Sequence, residues 1–182
     1  MITDDVVGLR AIDNADLHYL MRWRNDPEFR KHFREYRELA GPQQAEWYQN
    51  ILKDPHSIIF SIVLLADGNR LIGACGLTYI NWVVRHAEIS LYIGHNSLYL
   101  DEMYAPRAWK LLMTYGFNTI GMNKLWVEAY EFDGRRIALC EKFGFHLDGV
   151  LRDNAYYDGQ WANSHIYSLL AAEYGNSPPE TN

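Results

Sequence analysis

The chain has 182 residues, 17 of them basic and 23 acidic, for a formal charge of −6, and 48% of the residues are hydrophobic. Such a composition excludes a disordered chain and suits one domain with its own core, while the acidic balance argues against a nucleic-acid backbone as partner and tolerates a cationic one. No apolar run approaches the roughly 20 residues that cross a bilayer, the opening MITDDVV is acidic where an export signal is basic, and Cys75 and Cys140 form no CxxC pair, so a cytoplasmic location, free thiols and no metal are expected.

Val6 to Arg10 reads as a short first strand. Asp13 and Asp16 make a capping start to a helix that carries Leu17, Leu20, Met21 and Trp23 on one side and stops near Pro27. The basic segment from Arg24 to Arg37 interleaves acids with its bases and reads as a solvated helical face. Gly41 and Pro42 open a second helix through Trp47 and Ile51 to about Lys53. Ile58 to Leu65 is an apolar strand, Asp67-Gly68-Asn69 a turn, and Arg70 to Ile80 the returning strand of a hairpin.

Ala87 to Ile93 is the next strand, and Ala108, Leu111, Leu112 and Tyr115 mark a helix ending near Gly121. Leu125, Val127 and Ala129 then alternate with Trp126, Glu128 and Tyr130, as in a half-buried strand. Asp133 offers a cap to a helix whose apolar positions are Ile137, Ala138, Cys140 and Phe143, and Gly144 sits where a left-handed residue ends it. Two further strands reach Leu170. Residues 1–174 thus read as one domain without repeat or linker, and 175–182, with two prolines, as a disordered tail.

Several local matches accompany this order: Trp23-Arg24-Asn25-Asp26, the strand end IGACGL at 72–77, AEISLYIG at 87–94, EKFGF at 141–145, and Asp148-Gly149 followed by Leu151-Arg152. Together they resemble the GNAT superfamily of N-acyltransferases, most closely its ribosomal-protein N-terminal and spermidine acetyltransferase branch. The resemblance implies an α/β (α+β) fold with a mixed, mostly antiparallel sheet of about seven strands flanked by about four helices. It implies transfer of an acetyl group from acetyl-CoA, by direct attack in a ternary complex, to a primary amine on a small metabolite, amino sugar, polyamine or protein N-terminus. No metal is implied, and such enzymes often pair as homodimers. The alternative is a binding or regulatory module of the same fold that has lost CoA chemistry.

Three departures from the family pattern motivate that alternative. Residues 95–106 contain no glycine where the family's acyl-CoA loop is glycine-rich, and Asp101 and Glu102 fall close to the expected phosphates. They read either as ordinary helix-start acids, with the Tyr99 to Tyr104 amides still facing the donor, or as charges opposed to it. Asp133 stands where relatives carry asparagine, and Cys140 where many carry the tyrosine that reprotonates the thiolate. Donor contacts are therefore expected from Leu91, Tyr92, Ile93, Tyr99, Leu100, Asp101, Glu102, Met103, Tyr104 and Asp133.

For the acid, Cys140 competes with inert packing and Tyr130 with an aromatic core. Glu88 is the first candidate base, against a strand residue merely paired with Arg85 or Arg152, and His86 and His95 follow it. The resemblance implies a bulge in the strand of Glu88 that splays it from its neighbour and frees backbone amides for the thioester. Trp23, Arg24, Trp47, Tyr156, Tyr157 and Trp161 are expected to wall the acceptor cleft, since aromatic walls suit a cationic or sugar-like amine.

Overall fold

The protein is described over residues 1–175 by a computed structural model; apart from Gly175, the expected disordered tail lies outside the described residues. Short strand β1 (Ile2–Thr3) and β2 (Val7–Ala11) precede α1 (Leu17–Asn25), the single turn α2 (Pro27–Arg30) and α3 (Gly41–Ile51). Strands β3 (Ile58–Leu64), β4 (Arg70–Asn81) and β5 (His86–Ile93) follow, then α4 (Tyr104–Thr114), β6 (Lys124–Tyr130), α5 (Gly134–Lys142), β7 (His146–Tyr157), β8 (Gln160–Leu170) and the single turn α6 (Ala171–Tyr174). The additions to the expected set are β1, with two residues, and α2 and α6, with four each.

The strands form one sheet in the order β1-β2-β3-β4-β5-β6-β8-β7. All neighbours are antiparallel except β5 and β6, so the mixed, mostly antiparallel sheet is as the resemblance implied. Local chemistry explains the ends. Asp13 accepts from the Ala15 N–H at 3.0 Å while Asp16 reaches back to the Asp13 N–H at 2.9 Å, the reciprocal pair that starts the first helix. Gly68, at φ 58°, turns the β3–β4 connection, and Gly144, at φ 74°, ends α5.

The core lies between the sheet and α4, whose Trp109, Ala108 and Leu112 are fully buried. Trp109 meets the edge of Phe145 at 5.7 Å and stacks near Phe143 at 6.4 Å. Burial of each large apolar side chain contributes about 1.5–3 kcal/mol, which outweighs local propensity in fixing where α4 sits. The buried stripe of α5 differs from the expected one: Arg136, Leu139 and Cys140 are buried, whereas Ala138 is exposed. A stripe at i, i+3 and i+4 is still helical, but its first member is a cation, which a reading by apolarity passes over.

Candidate functional site

β5 and β6 pair in parallel only from His86–Lys124 to Glu88–Trp126. Beyond that point both strands continue without pairing to each other, β5 to Ile93 and β6 to Tyr130, so backbone groups of the two edges face a gap. The expected bulge in the strand of Glu88 lies instead on its partner β4, where the register shifts between Thr78 and Asn81. Tyr79, inside the bulge, takes the left-handed φ of 49°. An extra residue on one strand re-aims side chains locally, and here it turns Tyr79 toward the cavity that Glu88 lines.

That cavity has a volume of about 420 Å³ and gathers Thr78 and Tyr79 from β4, Glu88 and Tyr92 from β5, and Glu128 and Tyr130 from β6. Arg34 crosses it. Its guanidinium donates to both oxygens of Glu88 at 2.6 and 2.8 Å, and through Nε and Nη2 to Glu128 Oε2 at 3.0 and 2.5 Å. Glu88 is buried at 6% exposure, and its partner is thus Arg34, not Arg85 or Arg152. Arg34 lies in the segment read as a solvated helical face, whose helix ends at Arg30. Burial works to raise the Glu128 carboxyl, but hydrogen bonds from Arg34, Ser164 and Asn154 hold it below the usual carboxylate range. Tyr130, half-buried at the same cavity, is raised by burial and then by Glu128, which keeps its phenol protonated.

A second polar cluster is buried beside the first. Arg136 donates to the Leu91 carbonyl at 3.0 Å and to the Tyr99 hydroxyl, with Asp133 Oδ2 at 3.4 Å. The Tyr99 hydroxyl donates to Asp133 at 2.9 Å, and the His32 ring stacks on Tyr99 with its Nδ1 3.1 Å from Asp133. Burial opposes ionisation of Asp133, yet His32 and Arg136 hold its carboxyl low, while burial raises the Tyr99 phenol. Asp133 also caps α5, accepting from the Arg136 N–H at 3.2 Å.

The third feature is a cavity of about 700 Å³ between the start of α4 and α5, lined by Leu100, Asp101, Glu102, Arg135, Ala138 and Lys142 among others. Asp101 Oδ1 accepts from the Tyr104 and Ala105 N–H groups at 2.8 and 2.7 Å. These are the helix-start donors that would otherwise face an anion. The cations Arg135 and Lys142 line the same space, on the α5 side opposite the α4 amides that Asp101 has taken.

The expected residues divide among these places. Glu88, Tyr130, Tyr92 and Arg24 line the first cavity, and Tyr99, Asp133 and the Leu91 carbonyl belong to the buried cluster. Leu100, Asp101 and Glu102 line the α4–α5 cavity; Met103 precedes α4, Tyr104 opens it, and Ile93 is buried at the end of β5. Cys140 is fully buried, and burial pushes its thiol up to about 12.

The acceptor wall is dispersed. Trp23 packs over Gly94, where a Cβ would come within 1.9 Å of the indole ring, and Trp47 lines a separate hollow near α3. Tyr156 and Trp161 meet edge to face at 5.1 Å near the tip of the β7–β8 hairpin, and Tyr157 borders the His32–Asp133 side. Of the histidines weighed as bases, His86 pairs at the start of the β5–β6 ladder and His95 Nδ1 lies 2.8 Å from Arg70. Arg34, Glu128, Tyr79, Arg135 and Arg136 were not anticipated. The alternation of β6 put Glu128 on the same face as Trp126 and Tyr130, which was the one available signal.

Residues 7–146 match the acetyltransferase (GNAT) domain family. The chain is 28% identical over 168 residues to spermidine N(1)-acetyltransferase of Escherichia coli, covering 92% of this chain and 88% of that one. It is 31% identical over 111 residues to a putative ribosomal N-acetyltransferase of Bacillus subtilis, covering 61% and 59%. Among solved structures, spermidine N-acetyltransferase of Vibrio cholerae in complex with CoA and spermine superposes with a TM-score of 0.86 at 21% identity, over 95% of this chain and 100% of that one. A dodecameric form of the Vibrio enzyme gives 0.81 at 19% identity, over 95% and 98%. With a splayed β5–β6 pair, a helix starting beside it and a family match over most of its length, the chain belongs to the GNAT acetyltransferase family.

Proposed function

We propose that the protein moves an acetyl group from acetyl-CoA to a primary amine of a linear polyamine. The observation that carries this reading is the meeting of Glu88 and Glu128 in one cavity with the Tyr79 and Tyr130 rings, at the point where β5 leaves β6. Carboxylates with aromatic faces select a cationic amine. With Arg34 as their one cation, the two acids keep a net negative charge that a polyamine's further ammonium would offset and a neutral sugar would not. The relatives named as a spermidine N(1)-acetyltransferase and a putative ribosomal N-acetyltransferase support an amine acceptor, and the acid pair favours the polyamine.

Acetyl-CoA, when bound, supplies the acetyl group as a thioester. Arg135 and Lys142 would hold its phosphates in the α4–α5 cavity, and the part of β5 beyond Glu88 that does not pair with β6 would receive its arm. Glu88 takes the proton of the attacking amine, through water or directly, and Tyr130 returns a proton to the departing thiolate. Cys140 is a poor donor for that step because its thiol is fully buried and borders neither cavity.

Self-association belongs to the same reading. β7 is an edge strand with Leu147, Val150 and Leu151 exposed, and such edges invite pairing with another chain; the dodecameric relative favours an assembly larger than a homodimer. The substrate class is tested by incubating the protein and acetyl-CoA with spermidine, glucosamine and an alanine-terminated peptide in equal amounts, and weighing the products. Acetyl-spermidine as the main product is expected. Acetylation of the peptide or the sugar in its place would reassign the acceptor.

A further inference from the structure

Resting on that acceptor reading, we propose that Arg34 occupies the seat of the acceptor's second cationic group, so that an acceptor binds by exchanging its own ammonium for this guanidinium. Arg34 is then a specificity-determining residue, because only an amine that brings a further positive charge can replace what it removes.

The geometry supports exchange over a fixed structural pair. The two acids are the enclosed partners, with side-chain exposures of 7% for Glu88 and 12% for Glu128, whereas the Arg34 side chain is 44% exposed. The acids stand on neighbouring strands of the sheet. Arg34 comes from the connection between α2 and α3, which has no helix or strand from residue 31 to 40. One wall of the cavity is the Tyr79 ring, 5.4 Å from the guanidinium carbon, a face that any cation in this seat would meet.

Charge fixes the selectivity. With Arg34 in place the three groups sum to −1. If Arg34 leaves and nothing replaces it, two enclosed carboxylates are left without a cation, which their mutual repulsion opposes. A diamine or triamine keeps the balance by placing one ammonium between the acids while another amine reacts. A monoamine has no second cation and must compete with Arg34 for the same acids. Arg34 holds both oxygens of Glu88 and the Thr78 hydroxyl reaches one of them, whereas a single ammonium in that seat engages one oxygen and leaves the other to accept the proton of the reacting amine.

The test is calorimetric titration of spermidine into wild type, Arg34→Gln and Arg34→Lys, without acyl donor, alongside their thermal midpoints. Removing the competing cation in Arg34→Gln is expected to tighten spermidine binding by about tenfold or more, a change equivalent to about 1.4 kcal/mol. Arg34→Lys, a point charge that cannot fork between two acids, is expected to fall between and serves if Arg34→Gln fails to fold. With acetyl-CoA, the variants should lower KM for spermidine and leave KM for acetyl-CoA unchanged. Spermidine binding that is equal, weaker or absent in the variants overturns the exchange. If wild type acetylates no amine while spermidine still binds more tightly to Arg34→Gln, the reading of the reaction fails and the exchange stands.

Discussion

Glu88 and Arg34, 54 residues apart in the chain, meet through two hydrogen bonds of 2.6 and 2.8 Å, and this pair closes the cavity where β5 and β6 part. A buried carboxylate held by a fork is strongly positioned, and it keeps lone pairs that the fork does not use for a proton in reach. Replacing Glu88 with glutamine should therefore lower kcat by about 10²- to 10⁴-fold, the usual share of general-base catalysis, with the far-ultraviolet spectrum unchanged. Steady-state kinetics with saturating donor and acceptor measure it; unchanged kcat removes Glu88 from the reaction.

Asp101 links stability and donor binding with opposite signs. Its carboxylate holds the Tyr104 and Ala105 N–H groups, so Asp101→Ala should cost about 1 kcal/mol, as lost caps do. The same change bares the helix start and removes a negative charge beside the expected phosphates. Thermal midpoints with and without CoA should show a lower midpoint for the free variant and a larger CoA-induced rise than in wild type.

Arg136 and Asp133 neutralise each other in the interior. Arg136→Met removes the buried guanidinium beside Asp133 and should destabilise the protein by about 3–5 kcal/mol. Adding Asp133→Asn should recover part of that loss, since the buried charge goes with its partner. Denaturant unfolding of the two singles and the double gives the coupling.

Much of the fold was legible because period and turn chemistry act locally. The β3–β4 hairpin is visible in the apolar run from Ile58 and the Asp67-Gly68-Asn69 turn, and α5 in Asp133 and Gly144. The site was less legible because its key contacts are not local. Arg34 sits among interleaved charges that look like any solvated face, and nothing near it in sequence signals that Glu88 and Glu128 await it. Arg136 was hidden for a related reason: an apolarity scan of α5 selects Ala138, whereas Asp133, Tyr99 and the Leu91 carbonyl make room for a buried cation. Glu88 was found because it interrupts an otherwise apolar strand.

Asp16 is one of the carboxylates, with Glu128 and Asp133, that make stability depend on pH at the acid end. Burial works to raise its carboxyl, but the Arg10 fork at 2.7 and 2.8 Å, the Asp13 N–H and the Ser61 hydroxyl together hold it below the usual range. Its folded pKa thus lies below the unfolded value of about 3.9. The stabilisation is fully present above that value and is lost as pH falls through the folded pKa. Unfolding free energy should decline on acidification below about pH 5, and Asp16→Asn should be less stable at neutral pH with a shallower decline. Denaturant titrations across that range measure both slopes.

On the proposed function this chain, with Asp101 on the α4 amides and Arg136 on the Leu91 carbonyl, still seats an acyl-CoA. Equilibrium calorimetry of acetyl-CoA with the wild-type protein measures this. Saturable binding of one molecule per chain is expected, weakened when Arg135 and Lys142 are both changed to glutamine. No binding at millimolar acetyl-CoA would contradict it, and would make the protein a member of the acetyltransferase family whose fold serves binding without acyl transfer.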